Sequence, residues 1–173
     1  MRSLSGMTLL LVAGLVAAGC TGQAAQAVLA GTKTGSPITG TVQLTETPRG
    51  LHVVAHITGA PRGRHGFHIH EVGNCGDGGN AAGGHFNPDK RKHGDLVKEG
   101  LSGAHAGDLG NFEIGADGRG TKDVVVPKLT LREGRYAVVG RAVILHANPD
   151  DFSQPTGNAG GRIGCGIIVE GGR

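Results

Sequence analysis

Tryptophan is absent from this chain of 173 residues, and aromatic side chains are limited to four Phe and one Tyr. Any core must therefore be built from aliphatic residues. Three cysteines are too few for a dense disulfide scaffold. The longest apolar stretch, Met7 to Ala18, is too short to span a bilayer, which needs roughly 20 residues. No convincing helical period follows it. Charge of either sign is sparse: 17 basic and 14 acidic side chains give a formal +3, too mild to argue for nucleic acid. What is abundant is glycine, at 34 residues, against an average usage of about 7%. Collagen is excluded because these glycines keep no period of three. Full disorder is excluded because Leu, Ile, Val and Phe gather into short runs. The length suits one domain. Nine histidines in so small a chain call for an explanation.

The N-terminus reads as an export signal. Arg2 precedes the apolar run, which ends in the small residues Ala17-Ala18-Gly19 before Cys20. Val16-Ala17-Ala18-Gly19-Cys20 resembles a bacterial lipobox, with Ala17 where Leu is commoner. The alternative is ordinary cleavage after Ala27, in Ala25-Gln26-Ala27, without a lipid. If Cys20 is lipidated, Cys75 and Cys165 remain as a pair that an oxidising compartment would join. The expected organisation is a signal peptide over 1–19, a flexible tether over 20–37 and one domain over 38–173. The expected location is the periplasm or cell envelope, with any membrane contact made through the lipid anchor.

From Pro37 onward the pattern is period two, broken by turn residues. Thr39 to Glu46 alternates, and Leu51, Val53, Ala55 and Ile57 share one face of the next run. Gly66 to Val72, Asn111 to Gly115, Thr121 to Val126, Tyr136 to His146 and Arg162 to Glu170 complete the set. Asp117-Gly118 marks a hairpin turn. Seven or eight short strands predict an all-β antiparallel sandwich or barrel. Gly73 to Gly110 and Ala147 to Gly161 break the rhythm as two long loops, which are usually functional when they occur in a compact domain.

The histidines favour function. In a strand, His68 and His70 point to one face, about 6–7 Å apart, so both rings can reach one metal. Phe67, Ile69 and Val72 would then face inward. His85, His93 and His105 lie in the first long loop, with Asp108 three residues after His105. His146 ends an apolar strand. Three histidines with a carboxylate suit a closed zinc site, and four histidines suit copper with an open position. Six histidines must then supply seven ligand bonds, so one ring would serve both metals. Such a ring must lose both N–H protons, which two flanking cations make feasible.

Gly66-Phe67-His68-Ile69-His70-Glu71, Gly84-His85-Phe86-Asn87-Pro88, Gly107-Asp108-Leu109-Gly110 and Gly157-Asn158-Ala159-Gly160-Gly161-Arg162 together closely resemble the copper/zinc superoxide dismutase family. The resemblance runs from about Ile38 to Val169. It implies a Greek-key β-sandwich, or flattened eight-stranded barrel, with one copper and one zinc per subunit. It implies copper ligands His68, His70, His85 and His146, and zinc ligands His85, His93, His105 and Asp108, with His85 as the bridge. Asp150 matches an aspartate that hydrogen-bonds one copper and one zinc histidine, here His68 and His93. Cys75 and Cys165 match an intrasubunit disulfide, and Arg162 matches the arginine that holds the substrate anion. The implied reaction converts superoxide to O₂ and hydrogen peroxide by alternate reduction and reoxidation of copper, with His85 carrying a proton.

Two departures stand out. The loop from Asp150 to Thr156 is shorter than in eukaryotic members, and Pro155 occupies the place of a charged residue that steers the substrate. Lys90-Arg91-Lys92, beside His93, is the candidate replacement, the alternative being a solvated basic turn. The longer Cys75 to His85 segment puts the eukaryotic dimer contact in doubt, so a monomer and a homodimer both remain open. His52, His56 and His65 match no ligand position, and the first two are expected to be solvated. Three other readings compete with this one. An exported copper buffer or metallochaperone-like domain would be expected to lack Arg162 or a copper histidine. A copper-only relative would lack the zinc ligands. A basic surface-binding lipoprotein rests on the pI alone.

Overall fold

A computed structural model of the chain describes residues 23–171. Within them, nine strands and one short helix appear in the order β1 Ala24–Gly31, β2 Thr39–Thr47, β3 Gly50–Thr58, β4 Gly63–His70, α1 Leu96–Gly103, β5 Asp108–Ile114, β6 Arg119–Val126, β7 Ala142–His146, β8 Arg162–Ile167 and β9 Val169–Glu170. A 3₁₀ segment covers Asp77–Ala82. Every strand pairing is antiparallel, in the order β5-β4-β7-β8-β1-β2-β3-β6, with β9 paired to β1. The two ends of this path, β5 and β6, are joined by a hairpin at Asp117-Gly118, where Gly118 takes φ +73°. The result is a nearly closed eight-stranded barrel.

Alternation fills it. Val42 and Leu44 on β2, then Leu51, Val53, Ala55 and Ile57 on β3, are all fully buried. Phe67 and Phe112 meet across the interior with ring centroids 5.3 Å apart. Val72, expected inside, is instead 46% exposed beyond the end of β4. Outside the barrel wall, Ala142, Ile144, Ala82 and Cys165 form a second cluster with Cys75 packed on it. There Cys75 and Cys165 are joined by a disulfide across a sequence separation of 90. Closing a loop of that length stabilises the fold by roughly 4–5 kcal/mol in the chain-entropy model.

Three expectations need correcting. The tether proposed for 20–37 contains strand β1, and the domain therefore starts ahead of residue 38; residues 20–22 lie outside the described residues. Ala25, Ala27 and Leu29 alternate into the core, and β1 closes the gap between β8 and β2. Small side chains disguised this strand as low complexity, but period two needs only that one face be apolar. Secondly, the first long loop is not without helix. Asp95 caps α1 by accepting from the Val97 and Lys98 N–H groups, while Glu99 Oε1 accepts from the Asp95 N–H. Eight residues interrupted by Gly100 at φ +68° are too short for a visible period. Thirdly, the strand expected from Tyr136 begins only at Ala142. The signal peptide and Cys20 lie outside the described residues. Among those described, no helix is long and apolar enough to cross a membrane.

Candidate metal centre

The two long loops fold back over β4, β5 and β7, where all the candidate ligands converge. Two bulges occur at this end of the sheet, one between Gly66 and His68 and one between Leu145 and His146. A bulge re-aims the side chain that follows it, and both of these precede a candidate ligand. The first loop is tied to β4 by backbone bonds from Glu71 N–H to Gly84 O (2.9 Å) and from Phe86 N–H to Ile69 O (2.8 Å).

His68, His70, His85 and His146 form one buried group, and His85, His93, His105 and Asp108 form another. Within each group the prospective ligand atoms lie within 4.8 Å of one another. His85 belongs to both. Carbonyls behind His70 and His146 leave one nitrogen of each ring directed inward. His70 Nδ1 is 3.0 Å from Gly83 O and His146 Nδ1 is 3.1 Å from Gly160 O, which brings their Nε2 atoms to 3.3 Å. Asp108 Oδ1 lies 2.8 Å from His85 Nδ1 and 3.1 Å from His105 Nδ1. Asp150 joins the two groups from behind, 2.8 Å from His68 Nε2 and 2.9 Å from His93 Nε2. This fixes the tautomers so that Nδ1 of each ring faces the centre.

These two Nδ1 atoms test whether metals fit. Both are buried and neither makes a hydrogen bond. His93 Nδ1 lies 2.9 Å from Asp108 Oδ2, close enough for a bond but wrongly directed for one. Buried polar atoms left in this way are costly unless another partner completes them. Four nitrogens in one group, and three nitrogens with a carboxylate in the other, suit copper and zinc respectively.

Electrostatics separates the groups. Burial pushes His68 down to about 4, His70 to about 2 and His146 to about 3, so these rings are neutral and ready to ligate at neutral pH. Burial also opposes charge on His93, but the Asp108 and Asp150 carboxylates beside the ring outweigh it and raise it to about 9. Burial would raise the two carboxyls, yet their histidine hydrogen bonds hold Asp108 and Asp150 well below the usual range.

A cavity of about 300 Å³ opens on the first group, with His70, His85 and His146 in its wall and Arg162 beside them. The Arg162 guanidinium is held by backbone carbonyls of the disulfide-bonded loop: Nη1 donates to Gly79 O at 2.6 Å and Nη2 to Gly83 O at 2.5 Å. Among the described lining residues, Arg162 is the one with a fixed charge. Lys90, Arg91 and Lys92 are exposed and line no part of this cavity. His52 and His56 bond Asp123 and Thr121 on the outer barrel face. His65, which matched no ligand position, is buried 2.9 Å from the His146 carbonyl and 2.8 Å from Pro61 O. Sequence reading also missed Asn111 and Gln154, whose carboxamides hold the backbone of the second loop and of His93. Neither carries a motif signal.

Comparison with known proteins agrees with this geometry. Residues 38–168 match the family model described as copper/zinc superoxide dismutase. A copper–zinc superoxide dismutase 2 from Mesembryanthemum crystallinum is 42% identical over 139 residues, covering 76% of this chain and 86% of that protein. The crystal structure of the clock protein EA4 superposes with a TM-score of 0.75 at 38% identity, covering 86% of this chain and 95% of that one. A barrel carrying two histidine groups that suit copper and zinc, matched over most of its length, belongs to the copper/zinc superoxide dismutase family of oxidoreductases.

Proposed function

We propose that the chain disproportionates superoxide in the cell envelope. Copper would be held by His68, His70, His85 and His146, and zinc by His85, His93, His105 and Asp108. The observation that carries this reading is His85, shared by both groups with its Nδ1 engaged at Asp108 and its Nε2 left for the other group. Copper, when bound, supplies the one-electron redox couple that dismutation requires.

The chain's own residues do the rest. The substrate is a small monoanion, and Arg162 offers a guanidinium at the cavity wall whose direction is set by two carbonyls. Such a fixed cation binds and orients the anion without reorganising. Two superoxide ions consume two protons in giving O₂ and hydrogen peroxide. His85 Nε2 holds one of these protons and water brings the other. Asp150 keeps His68 and His93 in the tautomers that ligation needs.

Export is part of the proposal. Cleavage after Ala27 would remove Ala25 and Ala27 from the core and cut β1 in half, whereas cleavage ahead of Cys20 spares the whole strand. This supports lipidation at Cys20 and anchoring in the envelope, which mass spectrometry of the mature N-terminus would test.

Metal analysis of the purified protein with a superoxide-consumption assay tests the catalytic reading. We expect one copper and one zinc per chain together with activity; a fully loaded but inert protein would overturn it. His85→Ala is expected to lose activity and zinc-dependent thermal stabilisation together. Retention of either at the wild-type level would remove the bridge.

A further inference from the structure

Asp150 grips the ring of His93, but a second residue of the same loop holds its backbone. Gln154 Oε1 accepts the His93 N–H at 3.0 Å, and Gln154 Nε2 donates to the His93 carbonyl at 2.8 Å. A side-chain amide thus exchanges both bonds with one peptide residue, as a facing residue in an antiparallel pair does. The loop is lashed to the barrel by the same device. Asn111 on β5 donates to the Asp150 carbonyl at 2.9 Å and accepts the Asp150 N–H at 2.8 Å. Around Gln154, Asp151 N–H bonds Gly157 O and Gly157 N–H bonds Ser153 O, at 2.9 and 2.7 Å. This closes a tight ring that leads directly into the cavity wall at Thr156, Asn158 and Arg162.

His93 is consequently fixed at three points: its N–H, its carbonyl and its Nε2. Its one remaining polar atom is the buried, unpartnered Nδ1. The segment needs such fixing, because His93 is flanked by exposed Lys92 and by Gly94, which adds no side-chain anchor. Gln154 itself is exposed and adds nothing to the core, so the two polar ends of its side chain are what the fold uses.

We propose that Gln154 is a positioning residue for zinc, which presets His93 Nδ1 and couples zinc binding to the order of the cavity loop. The inference rests on the reading of His93 as a zinc ligand. Coupling of this kind is reciprocal: a clamp that tightens zinc at His93 must let zinc tighten residues 150–161. Zinc therefore acts on the loop that precedes Arg162 through backbone bonds, in addition to the link from the His93 ring to Asp150.

The test uses the full chain loaded with copper and zinc. Gln154→Met keeps the length and removes both bonds. Gln154→Glu keeps the shape and the acceptor but turns an oxygen toward the His93 carbonyl. Three readouts are taken: zinc transfer to a chromogenic chelator, the visible absorption of bound copper, and amide hydrogen exchange of residues 150–161 with and without zinc. Removing a partner that orients a ligand typically costs 10–100-fold in metal affinity. Both variants are expected to lose zinc affinity by about that factor, to keep the copper absorption, and to lose the zinc-induced protection of the loop. Zinc affinity within about threefold of wild type in both variants would overturn the clamp, since it would leave Gln154 a space-filling role only. A His93→Ala control separates the two levels: if it binds zinc as tightly as wild type, the ligand reading falls and the clamp falls with it.

Discussion

Gly157 offers the sharpest quantitative test of how the site is held. It is buried, takes φ +74°, and a Cβ placed on it would collide with Asp150 Oδ1 and come within 2.6 Å of Asp150 Cγ and His93 Nε2. Gly157→Ala therefore costs about 1–2 kcal/mol for the left-handed backbone alone. The displaced Asp150 carboxylate must then give up at least one of its histidine hydrogen bonds, each worth about 1.5–3 kcal/mol when charged. The sum, about 2.5–5 kcal/mol, corresponds to a melting temperature lower by about 5–20 °C in a domain of this size. Two other glycines separate the contributions. Gly134 has φ +76° and open space around it, so Gly134→Ala should show the backbone cost alone. Gly161 has open space and no left-handed φ, so Gly161→Ala should melt as wild type does. Calorimetric melting of the metal-free proteins ranks the three, and zinc titration should show weakened binding only in Gly157→Ala. A Gly157→Ala protein that melts within about 2 °C of Gly134→Ala and binds zinc normally would refute the argument.

Two further outcomes are expected. Metal-free protein should be most stable near pH 6.5. His68, His70 and His146 have folded values below the unfolded 6.5, so their contribution is present above 6.5 and is lost as pH falls toward about 4 and below. His93 is raised to about 9, so its contribution is present below 6.5 and is lost as pH climbs to about 9. Urea unfolding across pH 4–9 reads both limbs, and stability that rises steadily from 6.5 to 9 would contradict the second. Separately, neutralising Lys90, Arg91 and Lys92 together should flatten the salt dependence of the superoxide rate, because attraction between charges weakens beyond about 8–10 Å at ordinary ionic strength. An unchanged dependence, measured from low to physiological salt, would leave steering to Arg162 and the metals.

The barrel was legible wherever larger apolar residues alternate, as in Leu51, Val53, Ala55 and Ile57. It was illegible where alternation was carried by alanine, as in β1, because small side chains give a weak contrast between the two faces. The helix at Leu96 was hidden for another reason: eight residues and a left-handed Gly100 cannot show a 3.6-residue period, although Asp95 and Glu99 were its capping signal. The ligand candidates stood out because histidine is rare and its spacing within a strand has geometric meaning. Gln154 and Asn111 did not, since a carboxamide carries no signal until its partner's position is known.

Residue chemistry and local spacing alone determined that this chain is an aliphatic all-β domain with two long loops, the first of them rich in glycine, and the side chains for two metals. Glycine, nearly a fifth of the chain and the source of the loops' freedom, explains why those loops can turn back on the strands at all. Which ring faces which group, however, was decided only by the tertiary structure. His68 and His93 lie 25 positions apart, and it is Asp150, a further 57 along, that sets both tautomers. Arg162 likewise points where carbonyls of the disulfide-bonded loop direct it, about 80 residues upstream. Hydrogen bonds act over about 3 Å in space and take no account of distance along the chain. Their partners become definite only when the barrel has closed.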